Sequence, residues 1–169
     1  MSDEIDFEQP QKRPAFLTTL CVLSFVSIGF SLLSGLISIV SGPTSEEQML
    51  DQRVEMMGAI SDLKITGMDW AVDMMEKSML MAEDFNNNFY LATILNLIIV
   101  LTGLFGVLRM LSGYKMGFHI YIVYCILSVG ALYAYVNPAH IPSFVIIVNV
   151  ILSGLFVFLY SRNLKWMIK

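Results

Sequence analysis

Eight of the twelve methionines in this chain lie between positions 49 and 81, with Met56–Met57 and Met74–Met75 adjacent and Met79 and Met81 one residue apart. Thioethers are soft ligands that select Cu(I), and the acids interspersed among them would attract a cation, so Cu(I) handling is one chemistry open to this stretch. Several of these methionines point to different faces of a helix, however. No cysteine accompanies them, and His140 is the only histidine expected on their side of the chain. Methionine is also the adaptable filler of helix interfaces and binding surfaces. Packing or partner binding is the leading role, and no metal or cofactor is expected.

A second pattern is a ladder of hydroxyls. Serine occupies positions 24, 27, 31, 34, 38 and 41 within the apolar run SFVSIGFSLLSGLISIVS. Steps of three and four give a period of 3.5 residues, which keeps one stripe against a neighbouring helix in a left-handed crossing. In lipid, helices associate through close packing and hydrogen bonds, and small hydroxyl residues allow both. Ser24, Ser27, Ser31, Ser34, Ser38 and Ser41 are therefore read as a helix-packing seam, each able to bond back to a carbonyl of the preceding turn. Candidate partners are Asn96 and Gly103, the stripe Gly117, Tyr121, Tyr124, Ser128, and the pair Asn149 and Ser153. A hydrogen bond between Asn96 and Asn149 is expected. The competing reading of the same residues is a small passive channel or transporter.

Catalysis has little to work with. No H-x-x-x-H, C-x-x-C, G-x-S-x-G or phosphate-cradling glycine loop occurs, and His119 and His140 fall on opposite sides of the expected membrane. The chain is expected not to be an enzyme. Basic residues interleaved with aromatics, the mark of nucleic-acid binding, are missing as well, so no nucleic-acid partner is expected.

The elements that must carry these residues follow from hydropathy. Of 169 residues 56% are hydrophobic and 14% charged, with a mean hydropathy of +0.69. Four apolar blocks, 15–40, 89–108, 116–136 and 141–160, approach or exceed the roughly 20 residues that span a hydrocarbon core. The first is too long for the apolar region of a cleavable signal and is read as a retained helix. The fold class is all-α: a polytopic membrane protein with four transmembrane helices and two amphipathic helices in the first extracytoplasmic loop, 41–88.

Basic residues set the expected orientation. Lys12, Arg13, Arg109, Lys115, Arg162, Lys165 and Lys169 fall on the side of the termini, against Arg53, Lys64 and Lys77 in the long loop. Tails 1–14 and 161–169 are thus expected in the cytoplasm, and the protein in the plasma membrane or bacterial inner membrane. Cys21 and Cys125 lie within spans and are read as small apolar packing residues.

Within the loop, Thr44 and Glu47 offer a capping box, predicting a helix over about 45–65. Met49, Met56, Met57, Ile60 and Leu63 share one side of it. Gly67 interrupts, and a second helix is expected over about 68–85. There Met68, Val72, Met75 and Met79 form one stripe, and Trp70, Met74, Met81 and Phe85 form another on nearly the opposite side. The second stripe needs a partner of its own, because a contiguous exposed apolar patch marks an interaction site. The leading functional expectation is a non-catalytic membrane subunit or scaffold whose acidic, Met-rich outer cap docks a membrane or exported protein through Trp70, Met74, Met81 and Phe85. Lipid bilayer and a protein partner, or self-association, are the expected contacts.

Overall fold

The computed structural model describes residues 14–167. Among these the chain is all-helical: α1 (Ala15–Ser41), α2 (Glu46–Ile65), α3 (Asp69–Asn87), α4 (Phe89–Leu111), α5 (Lys115–Gly130), α6 (Leu132–Tyr135), a 3-10 turn (Pro138–His140) and α7 (Ser143–Ser161). Four segments are long and apolar enough to cross a membrane: α1, α4, α5 continued by α6, and α7. The third is less regular than the hydropathy suggests, because the α-helix gives way at Gly130 and Ala131 before resuming for one turn. Lys12, Arg13 and Lys169, which enter the charge count, lie outside the described residues.

The four long helices form a bundle in the order α1, α4, α5, α7, with α4 packed most extensively on α5 and next on α1. Glycine permits the α4–α5 approach. A Cβ on Gly117 would stand 2.5 Å from Met110 N and 2.7 Å from Gly106 O, and one on Gly106 would stand 3.1 Å from Tyr121 N. These are backbone atoms that cannot swing aside. Gly103 admits the ring of Tyr124 in the same way.

At the end of the bundle nearer the termini, Leu17, Cys21, Val107, Met110, Tyr160 and Met167 are all fully buried in one layer. There Ser24 Oγ and Tyr160 Oη share a buried hydrogen bond of 2.9 Å, which ties α1 to α7. Tyr160 is the only α7 residue that is fully covered. The fourth side of the bundle is therefore joined at one end and loose toward the other.

At the opposite end α2 and α3 form an antiparallel hairpin. Ser45, rather than Thr44, caps α2: its Oγ accepts from Gln48 N while Gln48 Oε1 accepts from Ser45 N. Thr44 is taken by another contact, since Asn86 Oδ1 accepts from its N–H at 2.8 Å and Asn86 Nδ2 donates to its carbonyl at 3.1 Å. Asn86 thus pins the two roots of the hairpin together. At the far end Gly67, with φ of 70°, stops α2 in a Schellman turn in which Met68 N bonds Leu63 O.

Candidate docking surface and interhelical cleft

The hairpin is held by one face of α2 and one of α3. Met49, Met56, Ile60 and Leu63 recur at 3.5-residue spacing on α2 and are its more covered residues, with Ile60 buried. Met49 Sδ accepts from Asn86 Nδ2 at 3.0 Å. Val72 and Ala71 are the buried residues of α3. Two ion pairs flank this seam, Arg53–Glu83 at 2.7 Å and Lys64–Glu76 at 3.0 Å. A third, Lys77–Asp73, lies along α3.

One position further along α2 runs a second apolar row that is left mostly exposed among the described residues. Leu50, Val54, Met57 and Ile65 are 60, 70, 59 and 82% exposed. At 100° per residue they fall, with Ser61, within a sector of about 80°. Asp51, Glu55 and Asp62 border that row on its solvent side by the same geometry. On its other side Met57, Ser61, Met79 and Leu80 line a groove between the two helices. Met57 therefore belongs to the outer row and not with Met49 and Met56.

The stripe Trp70, Met74, Met81, Phe85 has mixed surroundings. Trp70, near the hairpin tip, is 70% exposed, while Met74 and Met81 are half-buried. Phe85 meets Tyr135 and Phe89 edge-on, with centroids 5.9 and 6.2 Å away. That contact belongs to the joint between hairpin and bundle. Sequence periodicity missed the Leu50, Val54, Met57, Ile65 row. Its signal was present in the 4-3-4-4 steps through Ser61, but one serine and the neighbouring methionine seam obscured it.

The joint itself is polar at its centre. Asp84 Oδ2 accepts from Asn137 N at 2.9 Å and from His140 Nδ1 at 2.7 Å. Asn88 Nδ2 donates to the carbonyls of Asp84 and Tyr135. The Asn137 N–H is the largest influence on the Asp84 carboxyl and lowers its pKa. Partial burial opposes this, and His140 adds to the lowering.

The serine ladder divides by heptad. Ser24 is buried and Ser31 and Ser38 are half-buried, whereas Ser27, Ser34 and Ser41 are exposed. The packed edge of α1 continues through Ile28 and Gly35, the latter against Leu97. The exposed edge faces the loose side of the bundle, where Ser27 enters the wall of a cleft of about 250 Å³ with Tyr124, Ser128, Asn149 and Ser153. An adjoining cavity of about 180 Å³ shares Tyr124, Ser128 and Asn149 and adds Ser31, Asn96 and Tyr135.

Asn96 and Asn149 thus line one space, but no hydrogen bond joins them. Asn149 Oδ1 accepts from Ser153 at 3.4 Å instead. Among the described residues the Asn96 amide, Asn149 Nδ2 and the Tyr124 hydroxyl have no hydrogen-bond partner. Gly103 lies outside this space and acts at the α4–α5 crossing, under Tyr124.

Compared with protein-family models, with curated proteins and with solved structures, the chain matches none. What the two surfaces can do rests on their own chemistry. Among the described residues no group of three or more His, Cys, Asp or Glu side chains is arranged to hold a metal ion. Met49, Met56 and Met79 do line one groove, together with Glu46 and the Arg53–Glu83 ion pair.

Proposed function

We propose that the four long helices cross a membrane with both termini in the cytoplasm. On this reading the α2–α3 hairpin is an exported docking arm for a basic amphipathic helix of a membrane or exported partner. The row Leu50, Val54, Met57, Ile65 carries this reading. Four large apolar side chains in register, each more than half exposed on a helix already packed by its other face, leave a surface that a third helix can complete.

Charge supports the choice of partner. The stretch 42–88 has ten acids and three bases. Arg53, Lys64 and Lys77 are each paired within the hairpin. The arm thus offers carboxylates beside its apolar row and no unpaired base, which favours a cationic partner and disfavours arm-to-arm pairing between copies. The buried layer formed by Leu17, Met110, Tyr160 and Met167 lies across the inner end of the cleft and weighs against a channel.

The test is binding of designed amphipathic peptides to the full chain in lipid nanodiscs. A Lys-rich helix should bind, more weakly as salt rises, and its Glu-rich counterpart should not. Val54→Asp with Met57→Asp should weaken binding by about 30-fold or more, from the loss of about 2 kcal/mol of apolar burial. Equal binding of both peptides, or binding indifferent to these substitutions, defeats the reading.

A further inference from the structure

The cleft between α1 and α7 has no part in the docking arm, and its walls have a definite chemistry. They carry hydroxyls from Ser27, Ser31 and Tyr124 and amides from Asn96 and Asn149, with no acid or base among the lining residues. Counting along α4 and α7 at about 1.5 Å per residue, Asn96 and Asn149 lie about 10 Å inside the hairpin ends of their helices. Polar groups at that depth need a partner, because hydrocarbon offers none. Three of them find none among the described residues.

The shape is as informative as the walls. Toward the termini the cleft ends at the buried Ser24–Tyr160 contact. Toward the hairpin α1 and α7 part, leaving Ser27, Phe30 and Ser34 exposed on one helix and Leu152, which lines the cleft, exposed on the other. This is a blind pocket with hydrogen-bonding walls and an apolar mouth. A charged headgroup would lose its hydration there without gaining a counter-charge. A hydrocarbon chain alone would leave the amides unsatisfied.

We infer that the cleft binds an uncharged lipid with a hydroxyl or carbonyl head. The head lies between Asn96, Tyr124 and Asn149, and the tail leaves past Ser27 and Phe30 into the surrounding lipid. The inference rests on the four helices spanning a bilayer, but not on the arm having a partner.

The experiment uses the full chain in nanodiscs with three diazirine lipids of matched tails: a diacylglycerol, an isoprenoid alcohol and a phosphatidic acid. Crosslinks are mapped by mass spectrometry. One or both neutral probes should label the segments around Ser27–Ser34 and Ile147–Ser153, and which one does so identifies the head. Phosphatidic acid should label them at least tenfold less. Asn96→Leu with Asn149→Leu should cut neutral labelling at least tenfold. Because that pair could disturb packing, Ser27→Phe serves as a second variant. It narrows the mouth at an exposed position, leaves the amides in place, and should give the same loss with unchanged helicity and melting.

Labelling spread evenly around the bundle, equal labelling by the anionic probe, or crosslinks at the mouth only to a second copy of the chain would each overturn the inference. Reaction of a Ser61→Cys variant with a membrane-impermeant maleimide from one side of the membrane only tests the spanning reading separately. A failed lipid assay in a correctly inserted protein then counts against the pocket alone.

Discussion

Replacing Asp84 with Ala should release the 137–141 turn from the base of the hairpin while leaving the bundle folded. Two donors, Asn137 N and His140 Nδ1, converge on one carboxylate oxygen at 2.9 and 2.7 Å. A hydrogen bond to a charged group contributes about 1.5–3 kcal/mol. The Asp84 side chain retains 21% of its exposure, so water replaces part of what is lost. A net cost of about 2 kcal/mol for the pair is the appropriate scale, or about 30-fold in the local opening constant.

The assay is hydrogen–deuterium exchange of the peptide spanning 136–142, referred to intrinsic rates at each pH. Besides Val136, whose N–H is held by the Leu132 carbonyl, its protected amides are Asn137, Ala139, His140 and Ile141, bonded to Asp84, Asn137, Asn137 and Pro138 respectively. The sign of the pH dependence follows from the lowered Asp84 pKa. The folded carboxylate holds its proton less tightly than the unfolded one, so the anchoring is complete above the ordinary carboxylate range and is lost as pH falls through the lowered value. Wild-type protein should show that acid step and the Ala variant should not. Asp84→Asn keeps an acceptor for Asn137 N–H and should fall between them. Unchanged exchange in the Ala variant at neutral pH would refute the assignment of Asp84 as the anchor.

Other perturbations separate the forces that hold the bundle. Gly117→Ala drives a methyl into Met110 N and Gly106 O and should cost about 3 kcal/mol or more in a detergent unfolding titration, whereas Gly35→Ala meets only the flexible Leu97 side chain and should cost less than about 1 kcal/mol. Ser24→Ala and Tyr160→Phe, combined in a double-mutant cycle, should show a coupling of about 0.5–1.5 kcal/mol from their buried hydrogen bond; additive effects would show that the bond contributes nothing net. Thr93 Oγ1 is buried without a partner among the described residues, so Thr93→Val should leave stability unchanged or raise it by about 1 kcal/mol in the same titration.

Much of this architecture was legible because hydropathy acts over long windows. Four apolar blocks became four long helices, and Gly67 ended α2 where a left-handed turn was needed. The cap shifted by one residue since Thr44 and Ser45 both suit the role, and what separates them is Asn86, 42 residues away from Thr44 in sequence. The serine ladder was plain as a period but not as two edges. Whether Ser27 packs or borders a cleft depends on where α7 lies, and α7 carries no periodic small-residue face that would fix it. The joint was hidden for the same reason: Asp84, Asn137 and His140 are unremarkable alone and meaningful only once the chain brings them together.

Tyr135 gives the two surfaces a point of contact. Its ring packs against Phe85 at the root of the arm, its carbonyl accepts from Asn88, and its side chain lines the hairpin end of the cleft. A lipid head seated beside Asn96 would press on the same residue that a tilt of the arm would move. Were both ligands bound, their effects on each other would have to be equal in the two directions, because linkage between binding sites is reciprocal. Peptide affinity measured with and without the neutral lipid, and lipid affinity with and without the peptide, should then change by one common factor. Tyr135→Ala should bring that factor to one without abolishing either site, since the cleft amides and the row on α2 both lie elsewhere. A factor of one in the unmodified chain would mean that the arm and the cleft work independently.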